Sequence, residues 1–407
     1  MRSFLHFLVE SVRTVLRGNL AYYAWMVFLL GCLTQGAFAY AHQLQYGLIV
    51  ANMRDSVSWG FYIANFTFLV GVAAAAVLLV IPAYVYHWKP IKEVVLFGEL
   101  LAVAAIVMCL LFILVDMGHP ERLWHILPLL GTPNFPSAVL TWDALVLNIY
   151  LVINLVVAVY LLYCAFHGRP YNKKIVVPLV IISIPAAVGI HTVTAFLYAG
   201  MSSRPYWNSA ILAPRFLVSA FCSGPAILLI LFQILQRVSR FEIKNDAIQK
   251  IAELMAYSMG INLFLFGAEI FKEFYSNTVE VVHYQYLLFG LPGHPSPIAP
   301  FAWLSLAMSA IAFLLFLVPR TRKAPLTMNL GCLLIYLSVY FEKGAALIIP
   351  GYTPDTLGQV YNYFPSTTEV RVAIGIFGAG FLLFTVLVKV AIQLLFGKNA
   401  SPSAAQH

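Results

Sequence analysis

"VVLFGELLAVAAIVMCLLFILVDMGHPERLWH", residues Val94 to His125, decides the fold class. From Val94 to Val115 only Glu99 interrupts twenty-two apolar or small residues. A helix needs roughly 20 such residues to cross the hydrocarbon of a bilayer. The run then turns at once into Asp116, His119, a Pro-Glu-Arg turn and His125. Nine further stretches of the same kind flank it: about Leu20–Ala41, Phe61–Tyr86, Ala144–Phe166, Ile175–Tyr198, Phe216–Leu235, Ile251–Phe274, Ile298–Val318, Leu326–Ile349 and Val370–Phe396. Barrel strands would be shorter and alternate in polarity, whereas these runs are apolar on all sides. The whole chain is 61% hydrophobic and 10% charged, against about 25% charged in soluble domains. The expectation is an all-α integral membrane protein of about ten transmembrane helices, a single polytopic domain over residues 1–397.

The net charge of +8 is a topology signal rather than a nucleic-acid footprint. Alternate connections are short and basic, and with the termini they hold seventeen of the 24 Lys and Arg, among them Arg2, Arg13, Arg17, Arg169, Lys173, Lys174, Arg240, Arg320, Arg322 and Lys398. The other seven are Arg54, Arg122, Arg204, Arg215, Lys272, Lys343 and Arg371. By the positive-inside rule both termini are cytoplasmic, in a multi-pass protein of the cell membrane. The first run is of full spanning length with no small-residue cleavage pattern after it, so it reads as a retained helix. Residues 398–407 read as a disordered cytoplasmic tail. The membrane lipid is an expected partner, and nucleic acid is not.

The five cysteines are isolated, one in each of five spans, with no C-x-x-C. Neither an iron–sulfur cluster nor a c-type haem finds its ligands here. Of ten histidines only His191 lies well inside a span, which disfavours a haem held between two helices. No metal site and no phosphate-binding loop is expected. A chain of this composition moves electrons only with a mobile molecule or another subunit.

Ionisable residues in spans are costly and are functional candidates by default. They gather at the ends opposite the basic connections, where the connecting segments are long and rich in aromatics, Pro and Gly. There lie Asp116, His119, Glu121, Arg122, His125, Asp143, His191, Arg215, Glu269, Glu342 and Lys343. Arg204, Lys272, Glu273, Glu280 and Glu369 read as interfacial residues that snorkel or cap. Glu342 and Lys343 are adjacent and point about 100° apart on a helix, so each is expected to find its own partner elsewhere. Asn65 is an amide in apolar surroundings, fit to bridge helices or to hold a carbonyl. A ring of His, Asp, Arg, Tyr and Asn beside small-residue helices suits a quinone, whose carbonyls need donors and whose reduction needs proton exchange. The candidate quinone-binding residues are Asn65, Asp116, His119, Arg122, His191 and Arg215. A candidate proton-transfer set is Glu99, Asp143, Glu269, Glu342 and Lys343. Glu99 lies near the opposite end of the span that finishes in Asp116, about 25 Å away at 1.5 Å per residue.

Five stretches resemble one family. They are "VSWGFYIANFTFLVGVAAAA", "VDMGHPERLWHI", "PNFPSAVLTWDALVLN", "HTVTAFLYAGMSSRPYWNSAILAPRFLVSAFCSGPAIL" and "EKGAALIIPGYTPDTLGQVYNYFPS". Together they are similar to the NrfD/PsrC family of quinone-interacting membrane subunits, and within it to the DsrP and QrcD types. The resemblance spans Tyr22 to Val390. It implies two four-helix bundles plus additional helices, and a haem-free chain. It implies a menaquinone site near the outer, periplasmic face, a periplasmic ferredoxin-like partner carrying [4Fe–4S] clusters, and cytochrome subunits in the same complex. An alternative is an anchor or a proton or solute carrier without quinone chemistry of its own.

Overall fold

Among the described residues ten helices are long and apolar enough to cross a membrane: Leu20–Tyr46, Phe61–Tyr84, Val95–Asp116, Val139–Phe166, Lys173–Ala199, Leu212–Arg237, Asn245–Ser276, Ala299–Leu317, Pro325–Tyr352 and Thr367–Leu395. The computed structural model describes residues 2–86, 88–92, 94–127, 130–238 and 243–396. Arg240 and the tail at 398–407 lie outside the described residues. Among those described there is no strand, only two isolated bridges in loops. Each helix matches one apolar run, and several reach past it. The first span continues through His42 and Gln43 to Tyr46, and the fourth begins at Val139 instead of Ala144. Gln43 explains the first extension, because its Nε2 donates to Val115 O at 2.6 Å and its Oε1 accepts from Tyr62 Oη.

Neighbour relations divide the spans into two rings of four. The second packs on the third, the third on the fourth, the fourth on the fifth, and the fifth back on the second. The sixth to ninth close a second ring in the same way. The rings meet along a seam where the second span touches the sixth and ninth and the fifth touches the sixth. These are the two four-helix bundles. The first and tenth spans pair with each other, and the tenth leans on the third. Gly36 and Gly375 let their backbones touch: a Cβ on Gly375 would stand 2.6 Å from Gly36 Cα. Small residues permit such approach where hydrophobicity gives no drive between helices.

Two spans are interrupted. The second changes at Ala74 and winds into a π-helical turn, Ile81–Val85, which holds Pro82. The ninth breaks at Gly344 (φ −83°, ψ −94°) between Pro325–Lys343 and Ala345–Tyr352. Pro350 in the second piece has no N–H for Ala346 O. Tyr206 Oη takes that carbonyl at 2.6 Å, and Trp207 Nε1 takes Leu347 O at 2.8 Å. The short turn Pro205–Trp207 is thereby locked onto the ninth span.

Shorter helices lie outside the ten spans, among them Val281–Leu288 between the seventh and eighth spans and one at the N-terminal end. Arg2–Val15 is α-helical and rests against the last turns of the fourth span and against the tenth. Its residues repeat with helical period, but the run is too short to span, and in the sequence only its basic residues stand out.

Candidate functional site at the bundle seam

The site is built at the loop-rich end of both bundles, from spans far apart in sequence. On the fifth span His191, Thr194 and Tyr198 recur at helical spacing and share one buried face. Thr194 Oγ1 donates to Asp143 Oδ1 of the fourth span at 2.6 Å. Thr67 Oγ1 on the second span donates to Ile63 O, so Tyr198 is the donor in the hydrogen bond that joins the two hydroxyls. Above them stands an aromatic wall. Tyr198 lies 5.7 Å from Trp59 and 5.2 Å from Trp207, and Trp207 lies 5.2 Å from Tyr352.

Across the seam, Arg215 of the sixth span is only 7% exposed and binds two carboxylates. Its Nη1 contacts Glu269 Oε2 of the seventh span, and its Nη2 donates to Glu342 Oε1 of the ninth at 3.1 Å. Asn262 Nδ2 donates to Glu342 Oε2 at 2.8 Å. Lys343 Nζ sits 4.0 Å from the centre of the Phe216 ring. Two cations thus face two carboxylates, a formally neutral set; burial of such a set is tolerable only when its members are paired. The expectation that Glu342 and Lys343 would not meet is corrected. Their charged atoms are 3.7 Å apart in the last turn before the break at Gly344, where two long side chains can bend toward each other. Each also keeps a partner on another span, as expected.

Five polar atoms close to this seam are buried without a hydrogen-bond partner among the described residues: Asp143 Oδ2, His191 Nε2, Asn262 Oδ1, Arg215 Nε and Ser223 Oγ. His191 Nδ1 donates to Ala187 O at 2.8 Å, which leaves Nε2 as an acceptor or, when protonated, a donor. Buried polar atoms normally find partners, so a small polar group or ordered water fits against them. Asn65 bridges the bundles: its Oδ1 accepts from Tyr340 Oη at 3.0 Å and its Nδ2 donates to Phe61 O.

The candidate residues therefore divide. Asn65, His191 and Arg215 line the seam, together with Asp143, Glu269, Glu342 and Lys343. Asp116 is half-buried at the end of the third span, close to the first, and its Oδ1 is buried with no partner among the described residues. His119 and Arg122 do not join either group. The third span ends when Met117 turns extended, and a 3-10 turn, Pro120–Ile126, carries the chain outward. His119 is 68% exposed and pairs with Glu121 at 2.8 Å. A backbone N–H at the turn, then His119, hold the Glu121 carboxyl below the usual range. Glu99 is buried near the opposite end of the third span, its Oε2 without a partner among the described residues.

Two residues expected to snorkel are buried instead. Glu369 is fully buried and accepts from Ser366 N, Asn52 N and Tyr363 Oη; with Ser366 Oγ on Glu369 N it forms a capping box. Glu273 is buried and accepts from Lys272 and Thr278. The seam also uses Thr67, Thr194, Tyr198, Asn262 and Tyr340, which sequence reasoning missed. Hydroxyls and amides are common in membrane helices, and only the position of Thr194 and Tyr198 one and two turns past His191 signalled them.

Residues 49–355 match the family described as Polysulphide reductase, NrfD. A Halobacterium salinarum protein described as a dimethyl sulfoxide reductase membrane subunit is 24% identical over 94% of this chain and 93% of its own length. A selenate reductase subunit of Mesobacillus selenatarsenatis is 25% identical over 85% of this chain and 88% of its own. An Hdr-like menaquinol oxidoreductase integral membrane subunit of Archaeoglobus fulgidus is 24% identical over 92% and 94%. With two four-helix bundles, two additional spans and a family match across most of its length, the chain belongs to the NrfD/polysulfide reductase family of membrane subunits.

Proposed function

We propose that this chain is the quinone-reactive membrane subunit of a respiratory oxidoreductase complex. Menaquinone or menaquinol binds at the bundle seam near the loop-rich end, which faces the periplasm. Both termini lie in the cytoplasm, in keeping with the charge bias. Electrons pass to or from iron–sulfur clusters of a ferredoxin-like partner docked on the loops, with cytochrome subunits further along. The menaquinol reading is supported by the name of the Archaeoglobus relative.

The observation that carries the proposal is the pair of buried, unpartnered atoms His191 Nε2 and Asp143 Oδ2 beside the wall of Trp59, Tyr198, Trp207 and Tyr352. A quinone, when bound, supplies carbonyls that become hydroxyls on two-electron reduction. Asn65 Nδ2 orients such a carbonyl, His191 Nε2 donates to it when protonated and accepts from the hydroxyl when neutral, and the aromatic wall excludes water from one face. Asp143 and His191 hold or release the proton at that position. Arg215 fixes Glu269 and Glu342 so that the seam keeps its shape. Asp116 belongs to the same loop-rich end without touching the seam set, and His119 and Arg122 serve the docking surface. The proton path from the cytoplasmic side runs by way of Glu99.

The test is quinone-dependent reduction or quinol-dependent oxidation of the partner's clusters in the purified complex. His191→Ala and Asp143→Asn are expected to abolish electron transfer while the complex stays assembled. Wild-type rates in both variants, or transfer insensitive to quinone, would favour an anchor or carrier role.

A further inference from the structure

The N-terminal helix Arg2–Val15 has three distinct sides. At about 100° per residue, Phe4, Leu5, Leu8, Val9 and Val12 share an arc of about 140°. All five are 43% to 57% exposed, and Leu16, just beyond the helix, is 68% exposed. A second side carries His6 and Arg13, also exposed. The third side is packed: Phe7 is buried between the rings of Tyr163 and Phe166, at 5.7 and 5.5 Å. Ser3 Oγ lies 2.7 Å from His167 Nε2 and 3.1 Å from Tyr163 Oη.

The attachments fix how the helix lies. Its start holds the last turn of the fourth span, and the carbonyls of Val15 at its end and Arg17 just beyond accept from Lys389 of the tenth. Lys389 in turn sits over the Tyr22 ring. The helix therefore runs across the basic end of the bundle from one span to another, not along either. A cation at its C-terminal carbonyls complements its dipole. Asn19 then caps the first span through Tyr22 N, only four residues after the helix ends.

We infer that this helix lies in the bilayer interface, its Phe4–Val12 stripe against lipid chains and Arg13 and Arg17 among anionic headgroups. Three observations favour lipid over a protein partner. The stripe is continuous with the first span, of whose most apolar stretch only 17% is buried. The tether of four residues keeps it at the depth where that span enters. Its polar side carries Arg13, paired with Glu10 at 2.5 Å, and with Arg2 and Arg17 the segment keeps a net positive charge that matches acidic lipid. The feature is independent of the quinone reading.

The experiment uses the intact complex in nanodiscs of phosphatidylethanolamine and phosphatidylglycerol that carry a diazirine on the acyl chain. After irradiation, adducts located by mass spectrometry are expected on Phe4, Leu5, Leu8, Val9 and Val12, and not on His6 or Arg13. An unlabelled stripe overturns the inference. A second measurement places an environment-sensitive fluorescent amino acid at position 8 or position 13. Position 8 is expected to emit to the blue and to lose most of its intensity in brominated lipid, and position 13 to keep it. Blue emission without quenching would show a protein partner on the stripe, and unshifted emission would show water; either overturns the lipid assignment.

Discussion

Tyr340 Oη donates to Asn65 Oδ1 at 3.0 Å, and this hydrogen bond joins the ninth span to the second across the seam. Asn65 is fully buried. Removing either partner leaves the other with an unsatisfied polar atom. Asn65→Ala and Tyr340→Phe are each expected to lower stability by about 1–2 kcal/mol, with a coupling of roughly 0.6 kcal/mol in a double-mutant cycle. Thermal unfolding in detergent reads both. If Asn65 also orients the quinone, Asn65→Ala lowers turnover well beyond Tyr340→Phe; equal effects would make it structural only.

Arg215 is the shared partner of Glu269 and Glu342. Arg215→Ala strands Glu269 and leaves Glu342 only Lys343 and Asn262, and is expected to cost about 3–5 kcal/mol. Arg215→Lys keeps the charge but loses the planar fork that reaches both acids, so it recovers only part. Adding Glu269→Gln to Arg215→Ala should restore stability in part. No recovery would mean that loss of packing, not stranded charge, sets the cost.

Glu99 is the buried acid on the proposed cytoplasmic half of the third span. In liposomes carrying the whole complex, Glu99→Gln is expected to abolish the membrane potential that accompanies turnover while cluster oxidation by quinone persists. An unchanged potential, or none in the wild type, sinks the proton path and leaves the quinone site standing.

His283 lies outside the spans, in the surface helix Val281–Leu288, and is buried with Nδ1 donating to Pro350 O at 2.9 Å. Burial pushes its pKa below the ordinary 6.5. The neutral ring is therefore favoured in the folded state. Its contribution is complete above that ordinary value and is lost as pH falls through the depressed folded value. The melting temperature is expected to drop on acidification below 6.5, and His283→Gln should flatten that dependence. An identical slope in the variant would place the acid sensitivity elsewhere.

Gly375 touches the backbone of the first span at Gly36. Gly375→Val should force the first and tenth spans apart and cost about 1–3 kcal/mol. Selective loss of the first span's protease protection would locate the damage; unaltered stability would show the pair tolerates separation.

The ten spans were legible because length and apolarity are local properties, and each crossing needs only its own residues. Several ends were legible for the same reason: Asn19 and Asn172 cap the residues just after them, and Ser366 with Glu369 forms a box within four positions. The polar residues at the loop-rich end were also legible as a group, since alternate spans deliver their ends to one side. What they touch was not. Arg215 meets Glu269 and Glu342 from 54 and 127 residues away, and helices apolar on every side carry no stripe that says which face turns inward. Asp116 and His119 stand three residues apart, yet one keeps a buried carboxylate oxygen and the other faces water, because the helix stops at Met117 between them. Hydropathy determined that the chain crosses the membrane and where. The packing of ten such helices, set by shape and by the need to pair each buried charge, decided which side chains share a site.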